Sequence, residues 1–163
     1  MPVIDVTHDP DTFTLTITAE FAAPRERVWQ IYADARQLER IWGPPSHPAT
    51  FVEHDLTPGT LCTYYMTGPD GERFGGWWRI TAVDAPNSFA FDDGFADANL
   101  NPVASMPVSK NVYTFTEHDG VTRAVYTGTY TDAESLQKVL DMGMVEGATS
   151  AINQIDELLA AER

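Results

Sequence analysis

The chain of 163 residues has a single cysteine, no long apolar run and no basic N-terminal segment. One thiol, Cys62, cannot form an internal disulfide, which fits a reducing compartment. No segment approaches the ~20 consecutive apolar residues of a membrane-spanning helix, so we expect no membrane insertion. The N-terminus also lacks the basic and apolar segments of a signal peptide. These absences predict a cytoplasmic protein.

Basic residues are scarce: 10 Lys and Arg stand against 24 Asp and Glu, giving a net charge of −14. Such a charge repels phosphate backbones, so we expect no nucleic-acid partner, and anionic lipid surfaces are disfavoured for the same reason. The simplest interpretation of the acidic surface is solubility. A basic partner protein is the alternative.

Motifs for common cofactors and nucleophiles are missing as well. The chain has no Gly-x-Ser-x-Gly, P-loop or dinucleotide fingerprint, so we expect no cofactor. None of His8, His47, His54 and His118 has a partner at metal-ligand spacing, so we expect no metal site. Cys62 lies in a strand-like run and is interpreted as a buried, unreactive thiol.

Strand-like runs occupy most of the chain. In residues 11–21, Phe13, Leu15 and Ile17 share one face and threonines the other, which predicts a half-buried strand. We expect residues 1–10 before it to form a loose arm. Further strands are predicted at residues 50–56, 61–67, 73–83, 89–93, 112–117 and 122–130. Short Pro-, Gly- and Asp-containing connections favour antiparallel neighbours.

Helical patterns follow the first strand and end the chain. Pro24 is typical of a first helical turn, and a short second helix carrying Leu38 and Ile41 is predicted after it. Apolar residues recur at three- and four-residue spacing over residues 131–163, which predicts a long amphipathic helix.

Two local features of this terminal helix give further predictions. Thr131 and Glu134 have the spacing of a capping box. A helix of ~45 Å would be unusually long for such a domain, so we expect a break near Gly143. Gly143 and Gly147 share a face, and close packing against the sheet is the favoured explanation, with room for a ligand as the alternative.

The stretch from residue 94 to residue 109 is the exception among short connections. It contains two asparagines and two prolines and resembles no regular element. Long loops in compact domains are usually functional. A lid over a cavity mouth and a cover for a sheet edge are the two hypotheses.

Short motifs occur in a fixed order along almost the whole chain. They lie at residues 21–29 (Phe-Ala-Ala-Pro-Arg-Glu-Arg-Val-Trp), 38–44 (Leu-Glu-Arg-Ile-Trp-Gly-Pro), 53–59 (Glu-His-Asp-Leu-Thr-Pro-Gly), 64–71, 76–80 (Gly-Trp-Trp-Arg-Ile), 91–97, 143–147 and 155–159. In order and spacing the chain resembles the START-like, or Bet v 1-like, helix-grip superfamily (SRPBCC). Within it, the chain is similar to the bacterial group related to the C-terminal domain of the activator of the heat-shock-protein-90 ATPase.

The resemblance implies an α+β helix-grip fold for residues 1–163 as a single domain. A curved antiparallel β-sheet would wrap around a long C-terminal helix, with two short helices after the first strand. The strand pattern begins by residue 13, so we expect no separate N-terminal domain of the kind a full ATPase activator has. The superfamily includes lipid carriers, hormone receptors, aromatic cyclases and cochaperones, so the fold leaves the function open.

Aromatic residues on the predicted strands are the main candidates for ligand contact, because apolar and aromatic walls with a few polar groups make small-molecule pockets. The predicted ligand-binding set is Trp42, Tyr65, Trp78, Arg79, Phe91, Tyr113, Phe115, Tyr126, Met142 and Met144. Arg79 is included because an inward guanidinium would bind a ligand carboxylate, whereas an outward one would pair with a neighbouring Glu. The alternative for the aromatic residues is that they simply fill the core.

A catalytic role would need an inward acid or base, and the run Glu53-His54-Asp55 is the candidate. We expect Glu53 and Asp55 to face outward, so no catalytic residue is assigned. The leading hypothesis is a non-enzymatic module that binds an apolar or amphipathic small molecule between sheet and helix. The alternatives are a cochaperone acting on the heat-shock-protein-90 ATPase and a cyclase- or hydrolase-type enzyme. An exposed edge of the first or last strand would allow a homodimer.

Overall fold

The structure is a computed structural model and describes residues 2–161. The strands are β1 (Val3–Asp9), β2 (Thr14–Phe21), β3 (Ala49–Glu53), β4 (Leu61–Thr67), β5 (Arg73–Asp84), β6 (Ser88–Ala96), β7 (Ser109–His118) and β8 (Val121–Thr129). The helices are α1 (Arg25–Ala33), α2 (Ala35–Leu38), α3 (Ala133–Asp141) and α4 (Met144–Ala160).

All eight strands form one antiparallel sheet in the order β1-β2-β8-β7-β6-β5-β4-β3. The short helices α1 and α2 follow β2, and α4 packs its apolar face, including Ile152, Ile155 and Leu158, into the same core as the sheet. The predicted α+β helix-grip fold is therefore confirmed. None of the helices in residues 2–161 combines the length and the apolarity that crossing a bilayer requires.

The N-terminal segment differs from the loose arm that the sequence suggested. Val3–Asp9 form β1, which pairs with β2 from Val3 opposite Ala19 to Asp9 opposite Thr14. The segment is rich in β-branched residues, which suit a pleated edge strand. Met1 lies outside the described residues.

The free edges of the sheet are β1 and β3. The strand predicted as the first, β2, lies between β1 and β8, and the last strand, β8, lies between β2 and β7. Neither has an unpaired edge, so a homodimer formed through a sheet edge would use β1 or β3 instead, and the homodimer itself stays a prediction.

The C-terminal helical region breaks where the sequence predicted. Gly143 separates α3 from α4 with φ 85°, a left-handed conformation that glycine adopts without steric cost. The start of α3 differs from the predicted capping box, because Asp132 is the N-cap and its carboxylate accepts a hydrogen bond from the Ser135 N–H at 2.7 Å. The predicted helix extended to Arg163, and residues 162 and 163 lie outside the described part.

Candidate ligand-binding cavity

A cavity of about 350 Å³ lies between the inner face of the sheet and the C-terminal helices. Its wall on the helix side includes three small residues of α4, Gly147, Ala148 and Ala151, beside Met144 and Ile152 of the same helix. A Cβ atom added at Gly147 would meet no other atom within 4 Å. The expectation that Gly147 packs closely against the sheet is thus wrong, and this glycine leaves space beside the helix.

The mouth of the cavity is apolar. Phe74 of β5 and Met142 before α4 both line it, and they are 53% and 55% exposed. Pro107, from the loop between β6 and β7, is a third lining residue. That loop folds back on the end of β6, with the Val103 N–H donating to the Phe95 carbonyl at 2.9 Å. Together with the bridge between Ala96 and Pro102, this bond covers the end of β6 that β7 leaves unpaired, so the loop covers a sheet edge while Pro107 borders the cavity.

Half of the predicted ligand-binding set lies in the cavity wall. These residues are Trp42, Tyr113, Tyr126, Met142 and Met144. They come from the end of the α1–α2 region, from β7 and β8, and from the α3–α4 junction. The fold therefore brings together aromatic and thioether side chains as far apart in the sequence as Trp42 and Met144.

Three other members of the set are core residues. Trp78, Phe91 and Phe115 are buried, and none of them borders the cavity. Trp78 stacks on Phe91 with ring centroids 4.2 Å apart, and the Trp42 ring lies 4.7 Å away. Trp42, which does line the cavity, thus packs over Trp78.

The last two members lie on the outer face of the sheet. Tyr65 is half-buried beneath the Arg73 guanidinium, which lies 4.4 Å from the ring centroid, and Arg79 is exposed. Because side chains alternate along a strand, Tyr64 faces the cavity where Tyr65 was predicted. Arg79 thus faces outward, while its expected pairing with a neighbouring Glu stays a prediction.

The polar centre of the cavity is Asp93 of β6, which sequence reasoning missed. The Tyr64 hydroxyl donates to Asp93 Oδ1 at 3.2 Å. Burial raises the pKa of Asp93 to about 7, since an apolar surrounding disfavours the charged form. The period-two pattern of Phe89, Phe91 and Asp93 could have identified it, because all three point to the same face.

Tyrosine hydroxyls supply further polar atoms. The hydroxyls of Tyr32 and Tyr126 are 2.7 Å apart, and the Tyr113 ring lies 4.5 Å from that of Tyr126. Burial raises the pKa of Tyr126 and, to about 12, that of Tyr130. These hydroxyls are therefore neutral at physiological pH and can both donate and accept hydrogen bonds.

The acid–base run begins at the last residue of β3 and lies away from the cavity. Glu53 and Asp55 are exposed, as expected. His54 lies with Nε2 2.7 Å from the Tyr32 carbonyl, and burial lowers its pKa, so the neutral ring donates its N–H there. Cys62 is buried and burial raises its pKa, which keeps the thiol protonated. These residues supply no acid, base or nucleophile to the cavity.

Comparison with known proteins identifies the family of this chain and solved structures with the same fold. Residues 22–160 match the family described as activator of Hsp90 ATPase homolog 1-like protein. The crystal structure of protein Ms6760 from Mycobacterium smegmatis is 72% identical, with 97% of each chain covered and a TM-score of 0.90. Comparison with curated proteins gives no significant match.

Two further solved structures extend this likeness. The solution structure of a protein from Arthrobacter aurescens is 44% identical, with 98% of this chain and 92% of that chain covered and a TM-score of 0.93. A protein from Staphylococcus epidermidis is 24% identical, with 98% of this chain and 96% of that chain covered and a TM-score of 0.84. At this level of identity, the likeness supports the fold and nothing more. Because the family match spans most of the chain and a protein of 72% identity has the same fold, this chain belongs to the activator of Hsp90 ATPase homolog 1-like family.

Proposed function

We propose that the chain binds an apolar or amphipathic small molecule in the cavity between the sheet and α4, without catalysing a reaction. The observation that carries this proposal is the cavity of about 350 Å³, whose wall is mostly apolar and contains a few polar groups. That size and composition are typical of small-molecule sites. Burial of a ligand's apolar surface would contribute ~25 cal/mol per Å².

Several features of the cavity wall and its mouth support this proposal. Gly147 leaves space beside α4, Met142 and Met144 have adaptable thioether chains, and the loop carrying Pro107 borders the mouth. A ligand would enter past Phe74 and Met142, which are the exposed apolar residues of the rim.

The test uses the fluorescence of Nile red, a neutral apolar dye, with the cavity-filling variant Gly147→Leu. We expect the wild type to bind the dye and the variant to bind it at least tenfold more weakly. Glu157→Leu is the matched control, because it adds the same side chain at an exposed position of α4. Equal dye affinity in all three proteins would overturn the proposed site.

Native mass spectrometry of the purified protein gives an independent measurement. We expect a mass above that of the bare chain, with a small apolar compound released on denaturation. A compound that is released from the wild type but absent from Gly147→Leu would assign it to this cavity.

A second candidate function is binding to the heat-shock-protein-90 chaperone. The description of the matched family motivates it. This candidate predicts that saturating amounts of the chain accelerate the chaperone's ATPase. An unchanged ATPase rate would overturn it and leave the small-molecule proposal as it stands.

A further inference from the structure

The cavity contains one carboxyl group and no basic side chain among its described lining residues. The carboxyl group is that of Asp93, and the other lining side chains are aliphatic, aromatic, thioether, hydroxyl-bearing or amide-bearing. The chain has 10 Lys and Arg residues, but no Lys or Arg of residues 2–161 lines the cavity and neutralises the Asp93 carboxylate. A carboxylate in an apolar surrounding without a cationic partner is costly.

The groups that face Asp93 come from several elements and are neutral. Tyr64 of β4 donates to Oδ1, Trp78 of β5 and Ser109 of β7 are its cross-strand neighbours, and Tyr113 and Tyr130 lie near enough to interact electrostatically. Hydroxyl groups orient a carboxylate and stabilise it in part, but they do not neutralise it.

From this arrangement we infer, on the basis of the proposed function, that the ligand carries a protonated amine on an apolar body and that Asp93 is its counter-ion. The Tyr64 hydroxyl holds one carboxylate oxygen, and the ammonium group takes the cavity side of the carboxylate. The apolar body occupies the space beside Gly147 and Ala151. The net charge of −14 favours the approach of cations over anions.

Three probes with eight carbon atoms each test this inference: octylamine, 1-octanol and octanoate, each displacing Nile red. We expect octylammonium to bind about tenfold more tightly than octanol, because its charge-assisted hydrogen bond to Asp93 would add to the binding free energy. Octanoate should bind more weakly than octanol. In Asp93→Asn the ratio of the octylammonium affinity to the octanol affinity should fall to about one, whereas Asp92→Asn, on the opposite face of β6, should keep the wild-type ratio.

The pH dependence gives a second readout. Octylamine stays protonated between pH 5.5 and 8.5, while Asp93 ionises near pH 7. We therefore expect the affinity ratio to rise over this range in the wild type and to stay flat in Asp93→Asn.

Each other outcome overturns the inference in a recognisable way. Equal binding of octylammonium and octanol by the wild type would refute the amine preference and leave the apolar binding site intact. An octylammonium preference that survives in Asp93→Asn would assign it to the overall charge. If no probe displaces the dye and the dye itself does not bind, the proposed function fails together with the inference.

Discussion

Trp78 lies at the centre of the aromatic core, fully buried and stacked on Phe91. Truncation to alanine would remove a large aromatic side chain and leave a void. We expect Trp78→Ala to lower the free energy of unfolding by ~3–5 kcal/mol, measured by urea denaturation. Trp42 is half-buried and lines the cavity, so Trp42→Ala should cost less stability and weaken Nile red binding more. The reverse order of these two effects would contradict the assignment of core and wall.

The hydroxyl pair of Tyr32 and Tyr126 allows a prediction of coupling. Tyr32→Phe or Tyr126→Phe alone leaves one buried hydroxyl without its partner, which costs ~1–3 kcal/mol. The double variant removes both hydroxyls, so we expect it to cost less than the sum of the single variants. Thermal or urea unfolding of the four proteins gives the coupling energy. Additive effects would show that the 2.7 Å contact contributes nothing to stability.

At the scale of elements, the junction of α3 and α4 contains two glycines that should respond oppositely to the same change. Gly143 has φ 85°, which costs an alanine ~1–2 kcal/mol. Gly147 lies inside α4 with open space where a Cβ would go, and alanine there favours the helix by ~1 kcal/mol. We expect Gly143→Ala to lower the melting temperature and Gly147→Ala to raise it. A shift of the same sign in both would contradict this account of the junction.

The break in the helix could be predicted because it is a local property: glycine spacing and excess length both indicate it. Strand β1 was not predicted: its β-branched residues favour a strand, but its stability comes from pairing with β2, which the composition of the first residues does not reveal. Alternation also fixed which residues share a face without fixing the face itself. Choosing Tyr65 rather than Tyr64 therefore inverted the assignment on β4.

At the scale of the whole molecule, the sequence indicated which aromatic residues point inward. It did not indicate which of them line the cavity and which lie in the core. Phe115 and Tyr126 both point inward from neighbouring strands, yet only Tyr126 borders the cavity. The difference depends on α4, whose small residues leave space over one part of the sheet and whose Ile155 and Leu158 are buried in the shared core. Such a distinction needs the position of the helix over the sheet, which no local pattern contains.

The same packing gives the molecule a predicted dependence of stability on pH. The pKa of Asp93 is about 7 in the folded protein and ~3.9 in an unfolded chain. The folded state therefore binds the proton more tightly. The stability that proton binding by Asp93 contributes is fully present below the pKa of the unfolded chain, and it is lost as the pH rises through 7. We expect the free energy of unfolding to fall by a few kcal/mol between pH 4 and pH 8 in the wild type from this group alone.

Other acids titrate in the same range, so the measurement must isolate Asp93. Asp93→Asn keeps the shape of the side chain but cannot ionise, and Asp92→Asn provides the matched change on the opposite face of β6. Urea denaturation at pH 5 and pH 8 measures the free energy of unfolding of each protein. Relative to the wild type, Asp93→Asn should gain stability as the pH rises, whereas Asp92→Asn should show no such trend. Because an amine in the cavity would stabilise the ionised carboxylate, octylamine should reduce the wild-type loss at pH 8 more than octanol does, whereas the two probes should stabilise Asp93→Asn equally. A parallel pH profile for all three proteins would mean that the carboxyl group is hydrated through the cavity mouth, and that its surroundings do not penalise the charge.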